Sequence, residues 1–288
     1  MSFRNPRTSG RLRAGLLVFA VLLGTAASLV VHGQGQAPPA PQGGAQAPGR
    51  GGRAGGPGAP GRGGPPPTGR AAARFDPTGY WVSLVTEDWR HRIFTPPKGD
   101  YEGIPLNPAG RALADAWDPA KDDAAGEQCR AYGAVGVMRL PTRLHITWQD
   151  DTTLKIESDA GMQTRLVSFG PPQGQGGDWQ GVAVGSWDYP ASAFPGRGRG
   201  GPPPGGSLKV VTTKMKPGYI RKNGVPYGAN AVLTEYFDRF DVPNGDSLLI
   251  VKQELVDPEN LNTPYWASPN FKRQNDAAGW NPTPCSAR

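Results

Sequence analysis

Leu144-His145-Ile146-Thr147-Trp148-Gln149-Asp150-Asp151-Thr152-Thr153-Leu154-Lys155-Ile156-Glu157 alternates apolar and polar residues on either side of a polar turn. Leu144, Ile146 and Trp148 share one face of an extended chain, with His145 and Thr147 on the other. Past Gln149-Asp150-Asp151, Leu154 and Ile156 alternate with Thr153, Lys155 and Glu157. Keeping both apolar sets on one face fixes the parity of the pairing, because a slip of one residue would turn every side chain over. A short turn sets Arg143 opposite Glu157 and His145 opposite Lys155; a turn two residues longer sets His145 opposite Glu157.

The same alternation extends outward from this hairpin. Ser158 to Gly161 reads as the next turn and Met162 to Phe169 as the next strand, which makes a meander. Further strands read as Gly79 to Val85, Gly181 to Trp187, Leu208 to Lys214, Ala231 to Phe240 and Leu248 to Leu255, with Pro243-Asn244-Gly245-Asp246 as the turn between the last two. The expected class is mainly all-β, an antiparallel barrel or sandwich of about eight or more strands. One helix is expected, with Asn107 as N-cap, Pro108 in its first turn, Leu113 and Trp117 on one face, and Asp118-Pro119 as its stop.

Charge divides the chain of 288 residues in two. Residues 1–73 hold eight Arg and no acid, whereas from Arg74 onward 23 Lys and Arg face 24 Asp and Glu. The net +7 therefore belongs to the front end, and the rest is near neutral, which argues against a nucleic-acid-binding domain. Arg4, Arg7, Arg11 and Arg13 precede an uncharged run from Ala14 to Val31, the order an export signal requires. Residues 1–33 thus read as a signal peptide, with an uncleaved inner-membrane anchor through 14–31 as the alternative. Residues 34–73 are rich in Gly, Pro, Ala and Arg and read as a disordered linker serving as a soluble spacer, with weak contact of its Arg side chains to anionic membrane or envelope polymer as the alternative. Residues 74–288 make a single domain, interrupted by a Gly/Pro/Arg loop at 195–206 that reads as disordered.

In a chain leaving the cytoplasm for the periplasm or beyond, the even pair Cys129 and Cys285 is expected to form a disulfide that pins the C-terminal tail. No Cys-x-x-Cys or Cys/His cluster is present, and a two-His centre would consume both His91 and His145, so no metal and no cofactor are expected. The densest polar run is Glu87-Asp88-Trp89-Arg90-His91-Arg92. It offers Asp88 and His91, with Glu157 elsewhere, as acid/base candidates; its plainer reading is a charged loop in which Asp88 pairs with Arg90 or Arg92. Gly185-Ser186-Trp187 lacks a nucleophile elbow. Arg139, Arg143 and Arg165 fall among the central strands, where they line a cationic pocket if that face is interior and a solvated surface if it is not. Trp89 and Tyr227 are the aromatic candidates for stacking on a carbohydrate or other small ligand. The function this supports is a binding or envelope-associated module; a secreted enzyme of hydrolase type is the alternative.

Short blocks stand in a fixed order along the domain. They are Trp117-Asp118-Pro119, Met138-Arg139-Leu140-Pro141-Thr142-Arg143, Ile146-Thr147-Trp148-Gln149-Asp150-Asp151, Gln163-Thr164-Arg165, Gly185-Ser186-Trp187, Leu208-Lys209-Val210-Val211-Thr212-Thr213, Asn223-Gly224-Val225-Pro226-Tyr227 and Leu233-Thr234-Glu235-Tyr236. In these blocks the chain resembles a family of uncharacterised exported bacterial proteins, which implies export and a β-rich fold. It departs from that family where Asp188 to Gly206 replaces a Glu-Gly-Asp turn. Gly79-Tyr80-Trp81 resembles the opening of the first strand of lipocalin-type barrels, which implies a lipocalin-like barrel.

The signal reading predicts a mature protein that starts between Ser28 and Gln34. Mass spectrometry of the exported form checks this; recovery of intact Met1 to Val31 from membranes would establish the anchor instead.

Overall fold

The computed structural model describes residues 68–188 and 206–288. The signal peptide or anchor, most of the linker and all but the last residue of the 195–206 loop lie outside the described residues. The strands are β1 (Gly79–Leu84), β2 (Arg143–Asp150), β3 (Thr153–Ser158), β4 (Gln163–Ser168), β5 (Val182–Asp188), β6 (Ser207–Thr213), β7 (Gly218–Arg221), β8 (Val225–Tyr227), β9 (Val232–Asp241), β10 (Ser247–Val256), β11 (Tyr265–Ala267) and β12 (Asn270–Gln274). The order β10-β12-β1-β2-β3-β4-β5-β6-β9 closes on itself through β9–β10, so nine strands form a barrel, with β11 added beside β10. The sheet is not wholly antiparallel: β4 and β5 pair in parallel, Val167 with Ala183 and Ser168 with Val184. The long connection from Ser168 to Val182 makes this geometry available, since a parallel neighbour cannot be reached by a tight turn.

The meander β2-β3-β4 follows the alternation in the sequence. His145 stands opposite Glu157 and Trp148 opposite Leu154, the register of the longer turn, with a shift between Trp148 and Asp150. Leu144, Ile146, Leu154 and Ile156 point inward and meet Trp81, Phe237 and Phe271, all nearly or fully buried. Each such side chain contributes about 1.5–3 kcal/mol through burial. The barrel interior is therefore a packed core, with none of the open cup that a lipocalin-like reading implies. Arg165 also points inward, where its Nη2 lies 2.5 Å from Glu235 Oε2 and donates to Thr212 Oγ1, while Gln253 Nε2 donates to Glu235 Oε1 at 3.0 Å.

Residues 68–73, assigned to the linker by composition, are packed on the barrel. A 3₁₀ turn, Gly69–Ala72, is held by Arg70 N–H donating to Asp151 O at 2.9 Å and by Trp187 Nε1 donating to Gly69 O at 2.8 Å.

Three short helices cover one end: α1 (Trp89–Ile93), α2 (Pro108–Ala116) and α3 (Pro119–Ala124). In α2 Asn107 accepts from Gly110 N–H as the expected cap, but the buried face is Gly110 and Ala114; Leu113 is 58% exposed. Asp118-Pro119 both ends α2 and caps α3, because the Asp118 side chain accepts from Ala120 N–H. The hairpin β7–β8 packs here, its Gly224 at φ +84° beside Trp117, where an added Cβ would fall 2.2 Å from the ring. Among the described residues no helix is long and apolar enough to cross a membrane.

Cys129 and Cys285 are joined across 156 residues. The tail they hold is stitched on by Thr283 N–H to Asp159 O at 2.9 Å and by Lys222 Nζ to Ser286 Oγ at 3.1 Å. Cys285→Ser is expected to cost about 3 kcal/mol, on the order of 10 °C in Tm for a domain of this size, with an unchanged β signature. Thermal melts followed by circular dichroism check it, and two free thiols in the native protein would refute the pairing.

Candidate functional site

β1 ends at Leu84 and the chain leaves the barrel through Glu87 and Asp88 into α1. Asp88 adopts the left-handed conformation, φ 52° and ψ 31°, which Asp tolerates better than most residues. That turn aims its carboxylate back into the protein. Oδ1 accepts from His91 Nδ1 at 2.8 Å; Oδ2 accepts from Arg221 Nη2 at 3.1 Å and from Arg139 Nη2. An ionised carboxylate has only acceptors, so Nδ1 carries the imidazole proton. Burial raises the Asp88 carboxyl, but the His91 hydrogen bond and the Arg221 and Arg139 charges outweigh it and hold it below the usual aspartate range. Its neighbour goes the other way. Burial lifts Glu87 above the ordinary glutamate value by more than Arg92 and Arg139 lower it, and its buried Oε1 makes no hydrogen bond.

The cations are partitioned among these acids. Asp88 does not pair with Arg90 or Arg92, as the sequence suggested; the helical spacing of α1 sends those two in different directions. Arg92 donates to Glu87 Oε2 at 2.7 Å, to Ser83 Oγ at 3.0 Å and to Arg139 O at 2.8 Å, while Arg90 reaches Asp100 at 3.4 Å and Glu102 at 3.3 Å. His91 Nε2 is buried without a hydrogen bond and lies 3.5 Å from Asp100 Oδ1; with Glu102 these groups are the one His/carboxylate cluster among the described residues with metal-ligand spacing.

Beside Asp88 a pocket of about 390 Å³ opens between this segment and β11, lined by Arg139, Arg221, Lys252, Tyr265 and Trp266 among others. The position of β11 creates it. As the added strand beside β10, β11 pairs Trp266 with Glu254, so that Trp266 lies on the outer face at 58% exposure. Tyr265, one residue earlier, is buried, with the Arg139 guanidinium 5.5 Å from its ring centroid.

A second, larger hollow of about 750 Å³ lies between α2, α3 and the β7–β8 hairpin. Its floor is self-satisfied: Asp122 accepts from Trp117 Nε1 at 3.1 Å, Tyr219 Oη at 2.8 Å and Arg130 Nη1 at 3.0 Å. Those rings are nearly buried and present little face to a ligand.

The residues singled out from sequence are dispersed. Asp88, His91 and Arg139 come together. Glu157 lies on the outer barrel face, where it accepts from His145 Nδ1 at 3.1 Å and Lys155 Nζ at 3.0 Å, and His145 stacks on Tyr80 at 4.2 Å. His91 and His145 thus have separate partners and form no joint centre. Arg139 is not on a strand but in a 3₁₀ turn, Val137–Arg139; Arg143 points outward, 3.7 Å from Asp159; Arg165 is sealed inside with Glu235. The three arginines therefore form neither a shared cationic pocket nor one solvated face, because each guanidinium has its own carboxylate in a different place. Trp89 is 59% exposed, and Tyr227 is 1% exposed, its hydroxyl packed without a hydrogen bond against Gly133 and Gly218. Sequence reasoning missed Glu87 as a single candidate, Asp100, Glu102, Arg221, Tyr265 and Trp266. Only the charged run around Asp88 signalled the place.

No protein family, curated protein or solved structure matches the chain. The reading of the site accordingly rests on its geometry.

Asp88→Asn keeps a residue that accepts the left-handed turn but leaves Arg139 and Arg221 beside one another without a counter-charge. It is expected to destabilise the protein by about 2 kcal/mol, less than a fully buried pair would cost because the carboxylate is partly exposed. Chemical denaturation of the two proteins checks it; a change under about 0.5 kcal/mol would show that the carboxylate does not hold these segments together.

Proposed function

We propose that the protein is exported and that its barrel serves as a scaffold for a ligand-binding site at the Trp266 pocket. The observation that carries this reading is a pocket lined by the exposed Trp266 together with Asp88, Arg139, Arg221 and Lys252. An exposed indole offers a flat apolar face, and the charged groups around it fix the orientation of hydroxyl or carboxylate groups laid on that face. A carbohydrate or an acidic small molecule meets both demands. Export is supported by the arginine-led apolar run at the N-terminus and by the Cys129–Cys285 disulfide.

An acid/base enzyme is the second reading, favoured by the opposed shifts of Glu87 and Asp88 at the pocket wall. In that case Glu87, rather than His91, is the proton donor, because His91 Nε2 faces Asp100 away from the pocket.

Titration calorimetry with neutral and uronic-acid oligosaccharides tests the binding reading. Trp266→Ala is expected to weaken binding about tenfold or more, about 1.4 kcal/mol, with little change in Tm. Equal affinity in the variant would sink the proposal, and turnover lost in Glu87→Gln would put the enzyme first.

A further inference from the structure

The Nε2 atom of His91 presents an unsolved problem of charge. Its side chain is 7% exposed, and its Nδ1 proton is committed to Asp88. The remaining nitrogen faces Asp100 Oδ1 at 3.5 Å, with no hydrogen bond made. One ligand atom each from His91, Asp100 and Glu102 lies within 4.8 Å of the other two. Two carboxylates so placed repel one another unless something positive sits among them.

Arg90 supplies part of that charge from outside, through contacts of 3.4 Å to Asp100 and 3.3 Å to Glu102. It does not reach His91 Nε2, which stays without a hydrogen bond. The Arg90 side chain is also 65% exposed, so its pairs are weak and easily given up.

We propose that His91, Asp100 and Glu102 form a binding site for one divalent transition-metal ion of the Zn²⁺ type. Four observations point to it. The His91–Asp100 separation of 3.5 Å is long for a charge-assisted hydrogen bond but close to the edge of about 3.3 Å between two ligands on a tetrahedral zinc. Asp88 holds the Nδ1–H of His91, the carboxylate–histidine relay that directs Nε2 at a metal. One imidazole with two carboxylates suits zinc or manganese better than magnesium or calcium, which take oxygen donors alone. Glu102, whose side chain is 70% exposed, is free to swing the remaining distance inward.

Such a site leaves a coordination position for water and draws α1 to the loop that carries Asp100 and Glu102. That loop already supports the Trp266 pocket, since Arg221 Nη1 donates to Glu102 O at 2.7 Å. The metal would stiffen the pocket wall without depending on what the pocket binds.

The test is calorimetric titration of the tag-free protein, freed of metal by chelation, with Zn²⁺ alone. One ion per chain is expected, with affinity lowered about tenfold or more by Asp100→Asn and by Glu102→Gln. Arg90→Ala should bind more tightly, and His145→Ala should match the parent. Glu102→Gln alters an exposed side chain, so its result stands even if His91→Ala fails to fold. Absence of saturable binding, indifference to Asp100→Asn and Glu102→Gln, or equal affinity for Mg²⁺ would each overturn the proposal.

Discussion

The barrel depends on β10, among the described residues the only strand that must satisfy partners along its whole length on one side and two successive partners on the other. It pairs with β9 from Ser247–Asp241 to Val256–Val232, while its other edge takes β12 at Leu248 to Ile250 and β11 at Gln253 to Leu255. At the changeover Val251 N–H donates to Pro269 O at 3.0 Å, and Pro269, with no N–H of its own, ends one pairing before the next begins. Closure leaves few sheet edges open, which suits a chain exposed to other proteins. It also seals the interior, so an inward charge on one strand must be answered from another. Arg165 on β4 is answered by Glu235 on β9, and Gln253 on β10 occupies the second carboxylate oxygen. Removing either member of such a pair costs more than the pair itself contributes, so the seam and the buried pair constrain one another.

Because the inside is packed, the hollows beside Asp88 and between α2, α3 and the β7–β8 hairpin lie at the rim and the outer face. Asp88 organises that region by gathering α1, the 3₁₀ turn of Arg139 and β7 through Arg221, partners 51 and 133 residues away in sequence. Its left-handed backbone costs free energy that is offset by three charge-assisted contacts, the usual bargain where a backbone outlier persists. The same contacts leave Glu87 facing a partly desolvated wall. Two adjacent carboxyls are thus shifted in opposite directions, because one meets two guanidinium groups in addition to its histidine partner and the other is mainly buried.

Local pattern carried much of the fold. The alternation from Leu144 to Glu157, the Asn244-Gly245 turn and the Asn107 cap are all short-range signals, and each appears where its residues place it. What was not legible has long-range causes. β11 and β12 are short, and their pairing with β10 and β1 is set by closure, not by alternation. The parallel β4–β5 pair follows from a connection whose length, but not direction, can be read. For the site, the charged run marked Asp88 and His91, and Arg139 was named for a different reason. Trp266 could not be distinguished from a core Trp, because nothing in Tyr265-Trp266-Ala267 tells which face of an added edge strand is outward.

Several of the short sequence blocks along the domain meet in the fold as pairs. Gly224 lies against Trp117, and Arg165 against Glu235. The Arg165–Glu235 contact is sealed inside the barrel, and the two contacts hold strand to strand and hairpin to helix. Arg139, from a third block, instead meets Asp88, whose side chain keeps 30% of its surface beside an open pocket. Arg165 and Glu235 are closed over by the barrel, whereas Asp88 keeps its contact with solvent, which weakens its ion pairs. That this one remains beside a cavity that Trp266 also lines, next to the His91, Asp100 and Glu102 cluster, separates the site from the scaffold.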